Sequence, residues 1–112
     1  MPKRRHRGFP EGSDEPLPAD CWLCGRTLGV AVEWHHPVPR SRGGRDVRAV
    51  HPICHRTLHA QFTNVELARI GEDVASLRAQ AAVARFIAWL ADKPPDFHAP
   101  TRKGPVRAGR RR

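Results

Sequence analysis

The sequence predicts a small α+β domain, a β-hairpin ahead of a run of helices, held by a metal staple and flanked by basic tails. Three observations predict it. Cysteine and histidine recur in close pairs, C-x2-C at Cys21 and Cys24 and H-x2-C at His51 and Cys54. Apolar residues alternate through Val30 to His36 and take helical spacing beyond Pro52, the periods of a strand and of helices. The stretch able to build a core, 20–92, is near the size at which hydrophobic burial alone is marginal and a staple is needed.

The elements follow in chain order. Residues 1–19 are first basic, then rich in acid, Pro and Gly, and such material buries too little apolar surface to order itself, so a disordered tail is expected. "CWLCG" reads as a knuckle, two thiols three apart closed by Gly25. "VAVEWHH" reads as a strand with Val30, Val32, Trp34 and His36 on one face and Ala31, Glu33 and His35 on the other. Pro37 and Pro39 end regular pairing, "RSRGGRD" is a loop by its Gly pair and charges, and Val47 to Val50 forms a short second strand.

A helix begins at Pro52, whose missing N–H costs nothing in the first turn, while His51 before it is held extended. A second starts at Thr63, which forms a capping box with Glu66, with Phe62 and Leu67 spaced as a hydrophobic staple; Gly71 stops it. A third is expected from Asp73 to Asp92, with Val83, Phe86, Ile87 and Leu90 on one face, ended by Pro94 and Pro95. Residues 93–112, Pro-rich and basic, are expected to form a second disordered tail.

The formal net charge is +9, with about half of the Lys and Arg in the tails and much of the rest between Arg40 and Arg56. Arms and a loop of this sign attract a polyanion by neutralising phosphates and releasing counterions. A membrane surface is the competing polyanion, but no long amphipathic basic helix supports it. The run Lys3 to Arg7 is not followed by an apolar stretch, and "AAVARFIAWLA" is too short to span a bilayer and carries Arg85. A cytoplasmic protein is expected. Three cysteines, an odd number, favour metal binding over a disulfide framework.

Cys21, Cys24, His51 and Cys54 make four ligands of the kind tetrahedral structural zinc prefers. The plainer alternative is an ordinary buried thiol at Cys54 and a helix-capping His51. His55 and His59 lie at i and i+4, on one helix face, whereas Cys54 and His55 project about 100° apart. This predicts two metal sites on one helix. Adjacent residues of a strand face opposite sides, so one of His35 and His36 completes a site with His55 and His59, and the other stays free to take a proton from water. Five of the seven histidines fall between His35 and His59, too tight a grouping to read as coincidence.

The joined pattern "CWLC…EWHHPVPRSRGG…D…HPICHRTLH" resembles the HNH endonuclease family, over about a third of the chain. The resemblance implies a zinc-stabilised ββα-metal domain over 20–92 with C-terminal helices following the motif, and DNA cleavage by one divalent ion and a His general base. It makes His35, His55 and His59 the ligands of the catalytic ion and His36 the base; Cys21, Cys24, His51 and Cys54 match the structural zinc site many members carry. Mg²⁺ or Mn²⁺ is expected from availability, with Zn²⁺ and Ni²⁺ as ions imidazole also suits. Where the family has its middle Asn, about five residues before the second knuckle pair, this chain has Asp46, which when ionised accepts but does not donate hydrogen bonds. His51 stands where Cys is commoner.

On this reading Arg40, Arg42, Arg45, Arg48 and Arg56 flank the cut site and hold the DNA backbone, with little sequence specificity; a solvated charged loop is the plainer account of each. Glu33, on the face of His35, is placed to orient a ligand or to be solvated. Trp22 and Trp34 read as core. No small-molecule cofactor is implied. The rival functions are a zinc-stabilised nucleic-acid-binding module without cleavage, and an interaction protein whose zinc only supports the fold. The sequence is silent on oligomeric state, DNA preference and pathway.

Overall fold

A computed structural model describes residues 18–39 and 42–101. The molecule is a small α+β unit with one two-stranded sheet and four helices: β1 (Glu33–His35), β2 (Arg48–Val50), α1 (Pro52–Gln61), α2 (Asn64–Ile70), α3 (Val74–Ala79) and α4 (Ala81–Leu90). The strands are antiparallel, with Glu33 opposite Val50, Trp34 opposite Ala49 and His35 opposite Arg48. The 1–19 tail, except its last two residues, lies outside the described residues.

The knuckle forms first along the chain. An isolated bridge joins Asp20 to Thr27, the Cys21 amide donates to the Arg26 carbonyl, and the Gly25 amide donates to Cys21 at 2.9 Å. Gly25 has φ +79°, a left-handed conformation that glycine adopts without a Cβ clash. The Trp22 amide donates to the Ala49 carbonyl at 2.8 Å, which sews the knuckle to β2. From the other side Arg78 of α3 donates to the carbonyls of Leu23 and Trp22.

β1 is shorter than the alternation of Val30 to His36 predicts. The amides of Val30 and Ala31 donate to the carboxylate of Asp96, so their hydrogen bonds go to a side chain and not to β2. The face alternation holds: Val32 and Trp34 are buried with Ala49 in a small cluster, while His35 turns to the opposite side and packs towards α1. Gly44 is required in the loop between the strands, because a Cβ there would lie 1.6 Å from the Val38 carbonyl oxygen.

α1 starts at Pro52 as expected, with His51 extended before it. α2 has its capping box: the Glu66 amide donates to Thr63 Oγ1 and the Thr63 amide to Glu66 Oε1. Gly71 ends it with φ +62°. The single helix expected from Asp73 to Asp92 is instead two, because Gln80 is extended (ψ 133°) and turns the chain between α3 and α4. The break lets Leu77 and Val83 both reach the main core, with Leu23, Val50, Ile53, Cys54, Leu58, Leu67 and Leu90. Each such buried side chain contributes about 1.5–3 kcal/mol of transfer free energy.

A second correction concerns the C-terminal tail. Residues 93–101 do not lie free: Phe97 and Ala99 pack against the core, and the segment runs back over the knuckle and α1. The remainder, 102–112, lies outside the described residues. Among the described residues no helix is long and apolar enough to cross a membrane.

Candidate metal centres

Cys21, Cys24, His51 and Cys54 converge, their ligand atoms all within 4.8 Å of one another. His51 Nε2 donates to the Thr27 carbonyl at 2.9 Å, which leaves Nδ1 bare and facing the thiols. Nδ1 lies 3.4 Å from Cys24 Sγ and 3.7 Å from Cys54 Sγ. A tetrahedral zinc with ordinary Zn–S and Zn–N bonds sets a ligand edge of about 3.6 Å, so the cluster already has the size of a zinc shell. Three residues of the set, Cys21, His51 and Cys54, are buried, and no disulfide links the cysteines.

The thiols share protons unequally. Hydrogen bonds from Cys24 and Cys54 hold the Cys21 thiol far below its usual value. The same contact with Cys21 pushes Cys24 and Cys54 up, and burial adds to both. The three sulfurs compete for one another's protons, and a dication bound among them would favour all three as thiolates. A Cys3His cluster of this form can hold a metal ion and is compatible with structural zinc.

The second cluster is His35, His55 and His59, again with ligand atoms within 4.8 Å. The ring centroids are 4.9–5.6 Å apart and the rings meet edge to face at 65–73°. β1 delivers His35, and α1 delivers His55 and His59 one turn apart on one face, as the i, i+4 spacing requires. His35 is 1% exposed, its ring lies 5.6 Å from Trp22, and neither ring nitrogen has a hydrogen-bond partner. A buried polar group without a partner costs about 1–3 kcal/mol. Burial first, then the neighbouring His55, His59 and His36, lower the His35 pKa from 6.5 to about 3, so the ring is neutral at pH 7, the form that ligates metals.

Glu33 is not merely solvated. Its Oε1 accepts from His55 Nδ1 at 2.8 Å, which fixes the tautomer and leaves Nε2 of His55 for an ion, the carboxylate–histidine pairing common behind metal ligands. The residues therefore fit a divalent ion: three imidazoles converge, one is braced by a carboxylate, and one is buried with bare nitrogens.

The other expected residues separate. His36 follows β1 directly and is half-buried. Asp46 is exposed and lines an open groove of about 380 Å³ with Pro37, Val38, Gly43, Gly44, Arg45 and Glu72. Arg42 and Arg45 are exposed. Arg48 is neutralised by Glu72 and bonds its neighbour's carbonyl, so its guanidinium is engaged within the fold. Arg56 donates to Thr101 Oγ1 at 3.0 Å and to the Ala99 carbonyl and lies 3.4 Å from His98 Nδ1; it holds the C-terminal segment. Arg40 lies outside the described residues. Three contributors carried no distinct sequence signal: the Thr27 carbonyl, the Trp22 ring over His35, and Asp96.

No family model matches the chain, and no solved structure does. It is 36% identical over 85 residues to the uncharacterized protein YisB of Bacillus subtilis (strain 168), an alignment spanning 74% of this chain and 84% of that protein. At that identity and coverage the chain belongs to the same family as YisB.

Proposed function

We propose that the chain is a metal-dependent endonuclease of the HNH type that hydrolyses DNA phosphodiester bonds. The observation that carries the reading is His35, buried with two unpartnered ring nitrogens and converging with His55 and His59. These three hold one divalent ion, which when bound offsets the negative charge developing at the scissile phosphate. Three imidazoles favour a first-row transition ion over Mg²⁺. His36, beside the ligand His35 but not part of the triad, takes the proton from the attacking water. Arg42 and Arg45, exposed on the loop that follows, bind the phosphate backbone without reading sequence. The Cys3His cluster, filled by zinc, fixes the start of α1 and with it His55 and His59.

The test is supercoiled plasmid incubated with the purified protein and Mn²⁺, Mg²⁺, Ni²⁺ or Zn²⁺, beside an EDTA control and His36→Ala. Nicking that needs the ion and falls about 10²–10⁴-fold in the variant is expected. Cutting by His36→Ala at the parental rate would remove His36 from the role of base.

A second reading keeps one observation in its favour. Asp46, in the register of the family's Asn, is exposed and makes no side-chain hydrogen bond shown among the described residues. In the HNH family that Asn is held to brace the hairpin carrying the base, and a hairpin without it suits a catalytically inactive zinc-stabilised nucleic-acid-binding module, for which the same plasmid would stay intact under every ion while still binding the protein.

A further inference from the structure

The segment 93–101 touches three elements that its own sequence does not connect. The carboxylate of Asp96 accepts from the Val30 and Ala31 amides, both at 3.0 Å, on the lead-in to β1. Gly29 is shaped for this contact: a Cβ there would lie 2.2 Å from Asp96 Oδ1. Upstream, the Arg26 guanidinium in the knuckle donates to the Lys93 carbonyl. Downstream, Arg56, the residue after His55 on α1, holds Thr101 and Ala99. Between these ends Phe97 packs on the core and meets Trp89 edge to face at 5.6 Å.

We infer that 93–101 is a brace for the histidine triad and that Asp96 is its positioning residue. The inference rests on reading the triad as an ion-binding centre. It follows from what the centre needs. His35 comes from β1, while His55 and His59 come from α1, so the site exists only if strand and helix keep their distance and phase. Ligands must hold to about 0.5 Å, yet β1 pairs over three residues, and a two-stranded hairpin alone is marginal. Charge-assisted hydrogen bonds to two consecutive amides extend the anchoring of β1 where ladder pairing stops. The far end of the segment grips α1 beside His55. No residue of 93–101 belongs to either ligand cluster, so Asp96 acts on the triad by placement and not by ligation.

The experiment uses the full chain loaded with zinc, as Asp96→Ala, Gly29→Ala and the double variant. Three quantities are read: zinc content, Co²⁺ affinity of the histidines (thiolate-to-cobalt absorption would reveal any Co²⁺ entering the cysteine site), and amide exchange at Trp34 and His35. Asp96→Ala is expected to keep its zinc, bind Co²⁺ about tenfold more weakly and exchange faster at β1. Gly29→Ala should act alike, because its methyl displaces the carboxylate, and should add nothing in the Asp96→Ala background. Parental Co²⁺ affinity and parental exchange in Asp96→Ala would overturn the brace, as would additive effects of the two substitutions. Loss of zinc by Asp96→Ala would overturn it too, since the segment would then support the fold at large. A parent that binds no Co²⁺ at its histidines removes the ion-centre reading, and exchange at β1 then decides the brace by itself.

Discussion

The cysteine cluster and the histidine triad share α1, which gives Cys54 to one and His55 and His59 to the other, and they are built differently. The first has four ligands, three of them buried, and its one imidazole is turned by a backbone carbonyl. The second has three ligands, of which His55 and His59 are only half-buried, and its brace is a carboxylate, Glu33, on a side chain that reaches solvent. Four ligands close a tetrahedron around an ion, whereas three leave coordination positions open. On the proposed reading, ligand number and burial, more than ligand identity, would separate a staple from a site of chemistry.

The comparison breaks most visibly at the staple. Cys54→Ser removes one of four ligands from a core position that is 0% exposed. Structural zinc supplies about 10–16 kcal/mol of apparent binding free energy in small domains, more than a domain of this size has to spare, so the variant should lose both zinc and cooperative unfolding, read by zinc content and thermal melting. A folded, zinc-free Cys54→Ser would show that the core stands without its staple.

At the triad the largest effect is on acid stability. His35 is held near pKa 3 in the fold against 6.5 in the unfolded chain, so between those values the unfolded state binds the extra proton. The stability contributed by a neutral His35 is present above pH 6.5 and lost as pH falls towards 3, with a slope of at most about 1.4 kcal/mol per pH unit for one proton. His35→Leu, which cannot titrate, should show a shallower acid limb in urea melts taken across that range. Equal slopes would mean that water reaches the His35 ring.

The finest test separates brace from ligand. Glu33→Gln keeps the size of the side chain and removes the charge facing His55. It should weaken Co²⁺ binding at the triad by about 10–100-fold with zinc content unchanged, measured by titration. An unchanged affinity would demote Glu33 to a surface contact.

The two clusters were legible in the sequence because a shared metal site calls for short fixed spacings, and the starts of α1 and α2 were legible because Pro52 and the Thr63 cap act locally. The misses share a cause in tertiary contact. Gln80 carries no breaker signal, yet the chain turns there so that Leu77 and Val83 enter one core. The 93–101 segment reads as tail by its prolines, while Asp96 accepts from the amides of Val30 and Ala31, more than sixty residues away in sequence. The arginines divide by partners distant in sequence, Glu72 for Arg48 and Thr101 for Arg56. Spacing announces a ligand; it does not announce which charge is already spoken for.

Cys54 and His55 are consecutive residues of one helix, each given to a different cluster. The two centres are therefore geared: no rotation of α1 improves one without turning the other. On the proposed reading, in which both clusters hold ions, linkage makes the gearing reciprocal: an ion that orders α1 from the cysteine side would raise affinity on the histidine side by the factor it receives in return. On that reading, scarcity of zinc would then act as a throttle, because the α1 that carries His55 and His59 depends on the cysteine-side ion for its start.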